Sequence, residues 1–265
     1  MTSPHVPGSS ALRVLQGASR PAASGAPSRP GLVIAGGTGA LGSEVLRRLA
    51  GSGCFARTQV LAREPMATAL AQVAIAQVGA GRVEEWPVCA SLADTGVVMF
   101  EPPRLYHDRE RALWTPHPGQ LLPLAQWFRR CGVQTLVVVI PHAQGRLPQA
   151  LRHGLANLDE QQVAALGFER VLLLRSARKE AKPAGAGVLE KTASWMLSVM
   201  SYMVPASAQP VRPSRIAEFV DLALRMLPPG THVAGPELLW QAGQASDMRA
   251  ALRAWLNTGP GPQRT

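Results

Sequence analysis

A cluster of glycines between residues 36 and 42 has the residue type and spacing that most directly suggest chemistry. Gly37, Gly39 and Gly42 fit the pattern G-x-G-x-x-G, and Gly36 takes part in the overlapping pattern G-x-x-G-x-x-G. Glycine adopts backbone angles closed to other residues and lets the main chain approach a pyrophosphate, while a following helix offers N–H donors and partial positive charge. The pattern predicts a phosphate-binding turn, with an ordinary tight turn as the alternative.

The sequence on both sides of the glycines supplies the elements that such a turn requires. Residues 32–35 form a short apolar run typical of a buried parallel strand, and apolar residues recur at helical spacing from Leu41 to Leu49. A strand, a glycine turn and a helix in this order predict a dinucleotide-binding site. The predicted cofactor-binding residues are Gly36, Gly37, Thr38, Gly39, Ala40, Leu41, Gly42 and Arg63.

Arg63 follows a second predicted strand, residues 58–62. In dinucleotide-binding folds an acid at the end of the second strand binds the ribose hydroxyls of NAD, whereas a basic residue suits the 2′-phosphate of NADP. Arg63 therefore favours NADP(H), with NAD(H) as the second candidate and Arg57 as a further phosphate contact. The alternative is a solvated arginine just past a strand.

The rest of the chain alternates between predicted strands and helices. Strands are predicted over residues 82–88, 96–100, 135–140 and 170–174, and helices over residues 67–77, 118–131 and 147–166. Apolar strands that alternate with helices predict an α/β fold, a doubly wound parallel sheet of the Rossmann-like kind, completed by a small C-terminal cap.

The chain is expected to divide into three parts. Residues 1–30 are rich in Ser, Pro, Ala and Gly and contain no acid, which predicts a disordered tail; an organelle transit peptide is the alternative. Residues 31–180 form the predicted NAD(P)-binding core. Residues 181–265 form the predicted helical cap of the same domain, with helices over residues 188–203, after Ser214 as N-cap, and over residues 247–256, and a strand over residues 231–234.

Charge, apolar runs and cysteine spacing limit the kinds of partner that the chain is predicted to bind. The net charge is +10, but the arginines are scattered rather than gathered in a basic block with interleaved aromatic residues, so nucleic acid is not a predicted partner. No apolar run reaches the roughly 18 to 20 residues of a transmembrane helix. Cys54, Cys89 and Cys131 lack metal-binding spacing, which predicts no metal site and fits a reducing cytoplasm.

The motifs GGTGALG, CGVQTLVVVI, ALGFERVLLLRSA and PVRPSRIAEFVDLAL carry a family resemblance. With Arg63 at the end of a strand, residues 31–242 resemble the short-chain dehydrogenase/reductase superfamily, specifically its atypical NAD(P)H-binding branch related to sugar-nucleotide epimerases and NmrA-like proteins. The resemblance implies a Rossmann fold, a bound NAD(P)(H) and, in many members, carbonyl reduction or epimerisation.

The sequence departs from that family at its catalytic residues. Members commonly use a tyrosine followed four residues later by a lysine, and neither tyrosine here has that partner. The fourth residue after Tyr106 is Glu110, and the fourth residue after Tyr202 is Ala206. Residues 1–178 contain no lysine. The resemblance therefore implies cofactor binding more strongly than it implies the usual proton relay.

Two hypotheses follow, and whether the protein is an enzyme stays open. One is an NAD(P)H-binding protein with a degenerate catalytic site and a regulatory or redox-sensing role, acting through an unidentified small molecule or protein. The other is an NADPH-dependent oxidoreductase that reduces a small carbonyl or quinone through a non-standard site. For the second, His142 after the fifth predicted strand is the candidate acid or base, since histidine titrates near neutral pH. A hydrogen-bonded loop histidine is the alternative.

Overall fold

A parallel sheet organises the chain. The computed structural model describes residues 29–142, apart from residues 69, 71 and 91, and residues 158–177 and 211–258. The strands are β1 (Gly31–Ala35), β2 (Arg57–Ala62), β3 (Val73–Gln77), β4 (Thr95–Met99), β5 (Thr135–His142), β6 (Arg170–Ala177) and β7 (Gly230–Ala234). Their order in the sheet is β3-β2-β1-β4-β5-β6-β7, and each neighbouring pair is parallel. The order reverses between β1 and β4, which creates the crevice where ligands bind in open α/β sheets.

Helices cover both faces of this sheet. They are α1 (Gly39–Gly51), α2 (Asp108–Ala112), α3 (Leu121–Arg130), α4 (Leu158–Ala164), α5 (Pro213–Met226), α6 (Pro236–Gln244) and α7 (Met248–Thr258). Short 3₁₀ turns precede α3 at Pro118–Gln120 and follow β3 at Val83–Glu85.

The alternation of side chains along β1 explains the two layers. Leu32 and Ile34 belong to a buried cluster that includes residues of α1 and α5, whereas Val33 and Ala35 belong to a second cluster with α3. Successive residues of a strand point to opposite faces, so a strand that is apolar throughout needs a helix layer on each side. The predicted doubly wound parallel sheet is confirmed.

Two predicted elements are wrong. Residues 73–77 form β3 rather than the end of a helix, because each pairs with a residue of β2, from Thr58 with Val73 to Ala62 with Gln77. Residues 82–88 do not form a strand. Their centre is the 3₁₀ turn, and Trp86 and Pro87 come directly after it. Backbone pairing at the sheet edge decided the first case, and local apolar spacing did not reveal it.

The C-terminal region shows one shift and one addition. The helix expected after Ser214 begins at Pro213 with Arg212 as its N-cap, and proline suits that first helical position because its fixed φ matches the helix. The predicted late strand is confirmed as β7, at the edge of the same sheet. α6 was not predicted.

Several predictions lie wholly or partly outside the described residues. These are the N-terminal tail, the helix over residues 188–203 and the first part of the helix over residues 147–166, of which α4 is described. The division of the chain at residue 180 stays a prediction. Within the described part of the chain, no helix combines the length and apolar character needed to cross a bilayer.

Candidate functional site

The glycine turn joins β1 to α1 at the point where the strand order reverses. Gly36 and Gly39 have φ values of +79° and +71°, which residues with side chains rarely adopt. A Cβ on Gly42 would lie 2.5 Å from the carbonyl oxygen of Gly36, so only glycine lets α1 pack this closely on the turn. The geometry is that of a tight turn in which the main chain is closely approached by other parts of the protein.

The remaining residues of the predicted motif surround this turn. Thr38 is buried and is the N-cap residue of α1, and Gly37 is buried, where an added Cβ would lie 3.3 Å from Val60. The side chain of Ala40 is exposed, and that of Leu41 is half-buried. The structure thus brings residues 36–42 together in one turn, with Ala40 at the surface.

Two glutamates that the sequence analysis did not select lie against the N-terminus of α1. The N–H of Gly39 donates to Oε2 of Glu110 at 3.0 Å, and the N–H of Leu41 donates to Oε2 of Glu101 at 2.6 Å. α1 has no acidic residue in its own first turn. Because a helix N-terminus favours negative charge, these carboxylates supply from another segment what the helix itself lacks.

The two glutamates belong to residues 101–115, here named the strap, which includes α2 and connects β4 toward α3. Arg63 donates its N–H to the carbonyl of Ala112 at 2.8 Å, and Trp114 donates to the carbonyl of Leu61 at 2.9 Å. Gly36 donates to the carbonyl of Trp114 at 3.1 Å. The strap therefore crosses the carboxyl ends of β1 and β2.

Thr38 ties the turn to both ends of the strap. Its hydroxyl donates to the carbonyl oxygen of Glu101 at 2.5 Å and lies 2.8 Å from the hydroxyl of Thr115. Thr38 therefore bonds the strap instead of capping α1 with its side chain.

Glu110 is held as a carboxylate by its neighbours. Burial alone would raise the pKa of Glu110, but the guanidinium of Arg104 and the N–H groups of Arg104 and Gly39 outweigh it and lower that pKa. Arg104 makes two side-chain bonds to the same Glu110 oxygen, one of them from Nε at 2.8 Å. The Glu110 carboxylate is thus held by backbone N–H donors on one side and by a guanidinium on the other.

Arg63 lies where the sequence predicted it, immediately after β2, with an exposed side chain. Its backbone contacts the strap, while its guanidinium is free to reach a ligand at the end of β2. This placement is compatible with a contact to a 2′-phosphate, and it is equally that of a solvated arginine.

His142 is the last residue of β5, where its backbone pairs with Ala177 of β6. Its side chain lies outside the described part of the structure, so its role as an acid or base stays a prediction. Nearby in the register, Arg175 of β6 makes an ion pair with Glu160 of α4 at 2.6 Å, and both side chains are only 2% exposed. This pair is buried in the interior and separate from the glycine turn.

Among the described residues, no group of three His, Cys, Asp or Glu side chains has a metal-binding arrangement. Burial raises the pKa of the Cys131 thiol and outweighs the N–H that Cys89 donates to its sulfur at 3.3 Å. Cys131 is therefore not an activated nucleophile.

The sequence contained one signal for the missed glutamates. Glu101 comes two residues after β4, at the carboxyl end of a strand beside the crevice, and Pro102 and Pro103 then prevent a helix from starting at once. An acid at such a strand end is a candidate site residue. For Glu110 the sequence offers no comparable signal.

No protein-family model matches the chain, and no curated protein sequence matches it either. Similar solved structures include a nucleoside-diphosphate-sugar epimerase from Staphylococcus aureus, at 13% identity and a TM-score of 0.45 over 80% of this chain and 76% of that one. The Bordetella bronchiseptica enzyme WbmH in complex with NAD+ is 11% identical, with a TM-score of 0.42 over 88% and 84%. The triphenylmethane reductase of Citrobacter sp. complexed with NADP(H) is 14% identical, with a TM-score of 0.46 over 76% and 68%.

One of these neighbours is an epimerase and one is a reductase, and two of the three structures contain a nicotinamide dinucleotide. The strand order of this chain is that of a Rossmann-like fold. At these identities the likeness concerns the fold and transfers no activity.

Proposed function

We propose that this chain binds a nicotinamide dinucleotide at the glycine turn, with the pyrophosphate at the N-terminus of α1. The observation that carries the proposal is the turn itself, in which the N–H groups of Gly39 and Leu41 already donate to negatively charged oxygens. Backbone donors at a helix N-terminus bind carboxylate and phosphate by the same physics. The position at the reversal of strand order supports a dinucleotide over a lone anion.

NADP(H) is the proposed preference. Arg63 is exposed directly after β2, and a basic residue there suits the 2′-phosphate that distinguishes NADP from NAD. The net charge of +10 adds a general attraction for the more highly charged dinucleotide.

The proposed role is regulatory, with binding as the functional event. Tyr106 is 94% exposed at the outer part of the strap, and the residue at the fourth position after it, Glu110, is engaged by the glycine turn. Tyr106 and Glu110 therefore do not form a tyrosine–lysine pair. An oxidoreductase acting through His142 is the other hypothesis, and no observation on the described residues favours it.

The first experiment is isothermal titration of the purified chain with NADPH, comparing the wild type with Gly39→Val. We expect the variant to lose affinity by at least about tenfold, since a branched side chain would stand between the ligand and the helix N-terminus. Gly53→Val is the matched control, because Gly53 has a similar φ of +68° but no atom within 4 Å of an added Cβ.

The two variants share the backbone strain of a positive φ, and circular dichroism of Gly39→Val shows whether its collision with Glu101 leaves the chain folded. The proposed function requires Gly53→Val to bind NADPH like the wild type. Absence of NADPH and NADH binding in every folded form of the chain, wild type or variant, would overturn it, and so would a folded Gly39→Val chain with undiminished affinity.

A further inference from the structure

The strap places two carboxylates where the proposed function needs two phosphates. Glu110 accepts from the N–H of Gly39 and Glu101 accepts from the N–H of Leu41, so both donors at the entry of α1 are already engaged by the chain itself. A pyrophosphate that used the same donors would have to displace both side chains.

The backbone of the strap extends this overlap beyond the phosphate position. Leu113 forms an antiparallel bridge with Ala62, the last residue of β2, and the neighbouring bonds link the strap to Arg63 and Gly36. In a Rossmann-like sheet this is the path from the pyrophosphate toward the ribose that the end of β2 recognises. The strap thus follows the adenosine half of a dinucleotide.

Charge compensation explains why this arrangement is stable. Arg104 of the strap pairs with Glu110, and it also approaches Ser43 of α1, its Nη2 lying 3.4 Å from the hydroxyl. One carboxylate therefore has a guanidinium and two backbone N–H groups as partners. Charge-assisted bonds of this kind are the stronger ones in proteins.

We propose that the strap is an autoinhibitory segment, whose Glu101 and Glu110 carboxylates stand in for the two phosphates of the dinucleotide. The inference rests on the proposed function and adds its regulation: the dinucleotide binds when the strap leaves the crevice, and its affinity is reduced by the fraction of molecules in which the strap is closed. Strap release is then the conformational signal that binding produces.

The test compares the affinity for NADPH of the wild type, Glu101→Gln and Glu110→Gln by isothermal titration, with inorganic pyrophosphate as a second probe. We expect each variant to bind NADPH about tenfold more tightly than the wild type, and the double variant to bind more tightly still, because a bond to a charged acceptor weakens when the charge is removed. Pyrophosphate should follow the same ranking.

Two comparisons make the result specific. Asp108→Asn removes one negative charge from the same strap at a side chain that is 93% exposed and does not contact the turn, so it should leave NADPH affinity within about twofold of the wild type. Glu101→Gln checks that any gain in Glu110→Gln does not come only from the released Arg104, since Arg104 bonds Glu110 directly and interacts with Glu101 only through longer-range electrostatics.

The outcomes separate the two proposals. If the wild type binds NADPH and both glutamine variants bind it with unchanged or lower affinity, the strap proposal is overturned and the proposed function stands. The strap proposal is also overturned, and the proposed function stands, if Asp108→Asn gains as much NADPH affinity as the two glutamine variants. If no folded form of the chain, wild type or variant, binds NADPH, NADH or pyrophosphate, the proposed function fails and the strap proposal fails with it. Circular dichroism of each variant identifies any that is unfolded, and the remaining single variant then decides.

Discussion

In the proposed function, Arg63 is the residue expected to favour NADP(H) over NAD(H). It is the first residue after β2, its side chain is exposed, and its backbone is fixed by the bond from its N–H to Ala112. An exposed guanidinium directly after β2 suits a contact with a phosphate that projects from the ribose, whether or not the strap bonds the Arg63 backbone.

Replacing Arg63 with alanine should therefore weaken NADPH by about tenfold and NADH by less than about twofold, because the lost bond is charge-assisted and only NADPH has the 2′-phosphate. Titration of both dinucleotides by fluorescence measures the two dissociation constants. Arg253→Ala, which removes an equally exposed arginine from α7, is the control for net charge. Equal losses for NADPH and NADH in Arg63→Ala would end the assignment of the phosphate contact.

The glycines of the turn illustrate how much a single residue type can determine. An added Cβ at Gly36 would collide with the main chain of Met99, and one at Gly39 would meet the carboxylate of Glu101. The first collision is with backbone and concerns folding. The second is with a flexible side chain, so the residues that define the site are constrained for different physical reasons.

At the scale of elements, the strap and α1 form one electrostatic unit. α1 has no acid in its first turn, and α2 supplies Glu110 to the N–H groups there. The pKa of Glu110 is lower in the folded chain than in the unfolded one, since the bonds from Arg104 and Gly39 outweigh burial. The unfolded state therefore binds more protons than the folded state between these two pKa values.

The sign of the pH effect follows directly. Glu110 contributes stability that is fully present above its ordinary pKa of about 4.3 and is lost as the pH falls through the lower pKa of the folded state. Urea unfolding of the wild type between pH 6 and pH 3 should show this loss. Glu110→Gln should be less stable at neutral pH by about 1–3 kcal/mol and should lose less stability on acidification.

Asp108→Asn serves as the control here as well, because its exposed carboxylate makes only a long contact to Arg111 at 3.6 Å. It should keep the pH slope of the wild type. A Glu110→Gln chain whose stability falls with acid as steeply as that of the wild type would contradict the described role of Glu110. Glu110→Gln is thus expected to lower the stability of the chain while it raises the affinity for NADPH. Replacing a glutamate with a merely structural role would not raise that affinity.

Local sequence predicted some elements and missed others for identifiable reasons. β1, the turn and α1 follow one another within 21 residues, so their apolar spacing and glycines carried the prediction. The strap contacts join distant residues, such as Leu41 with Glu101, 60 positions apart, and Thr38 with Thr115, 77 positions apart, and no local pattern records them. β3 was missed because its partner, β2, determines its conformation.

At the scale of the whole molecule, the sheet order brings two predicted features and one missed residue, Glu101, to one edge. The turn after β1, Arg63 after β2 and Glu101 after β4 all lie at carboxyl ends of adjacent strands. Alternation of strands and helices along the sequence was enough to predict that edge as the ligand site. It was not enough to predict that part of the chain would lie across it.

The proposed autoinhibition gives the molecule two states that a dinucleotide would distinguish. The closed state is the one described here, with the strap bonded to β1, β2 and α1. The open state would release the strap and leave the sheet unchanged. A ligand with higher affinity for the open state shifts the population toward it.

Hydrogen exchange of the wild-type chain with and without saturating NADPH tests this account most directly. Peptides that cover residues 101–115 should exchange faster when NADPH is bound, because the strap loses its bonds to the turn, while the start of α1 stays protected by the phosphates. Unchanged or slower exchange of residues 101–115 in a chain that has bound NADPH would contradict the account.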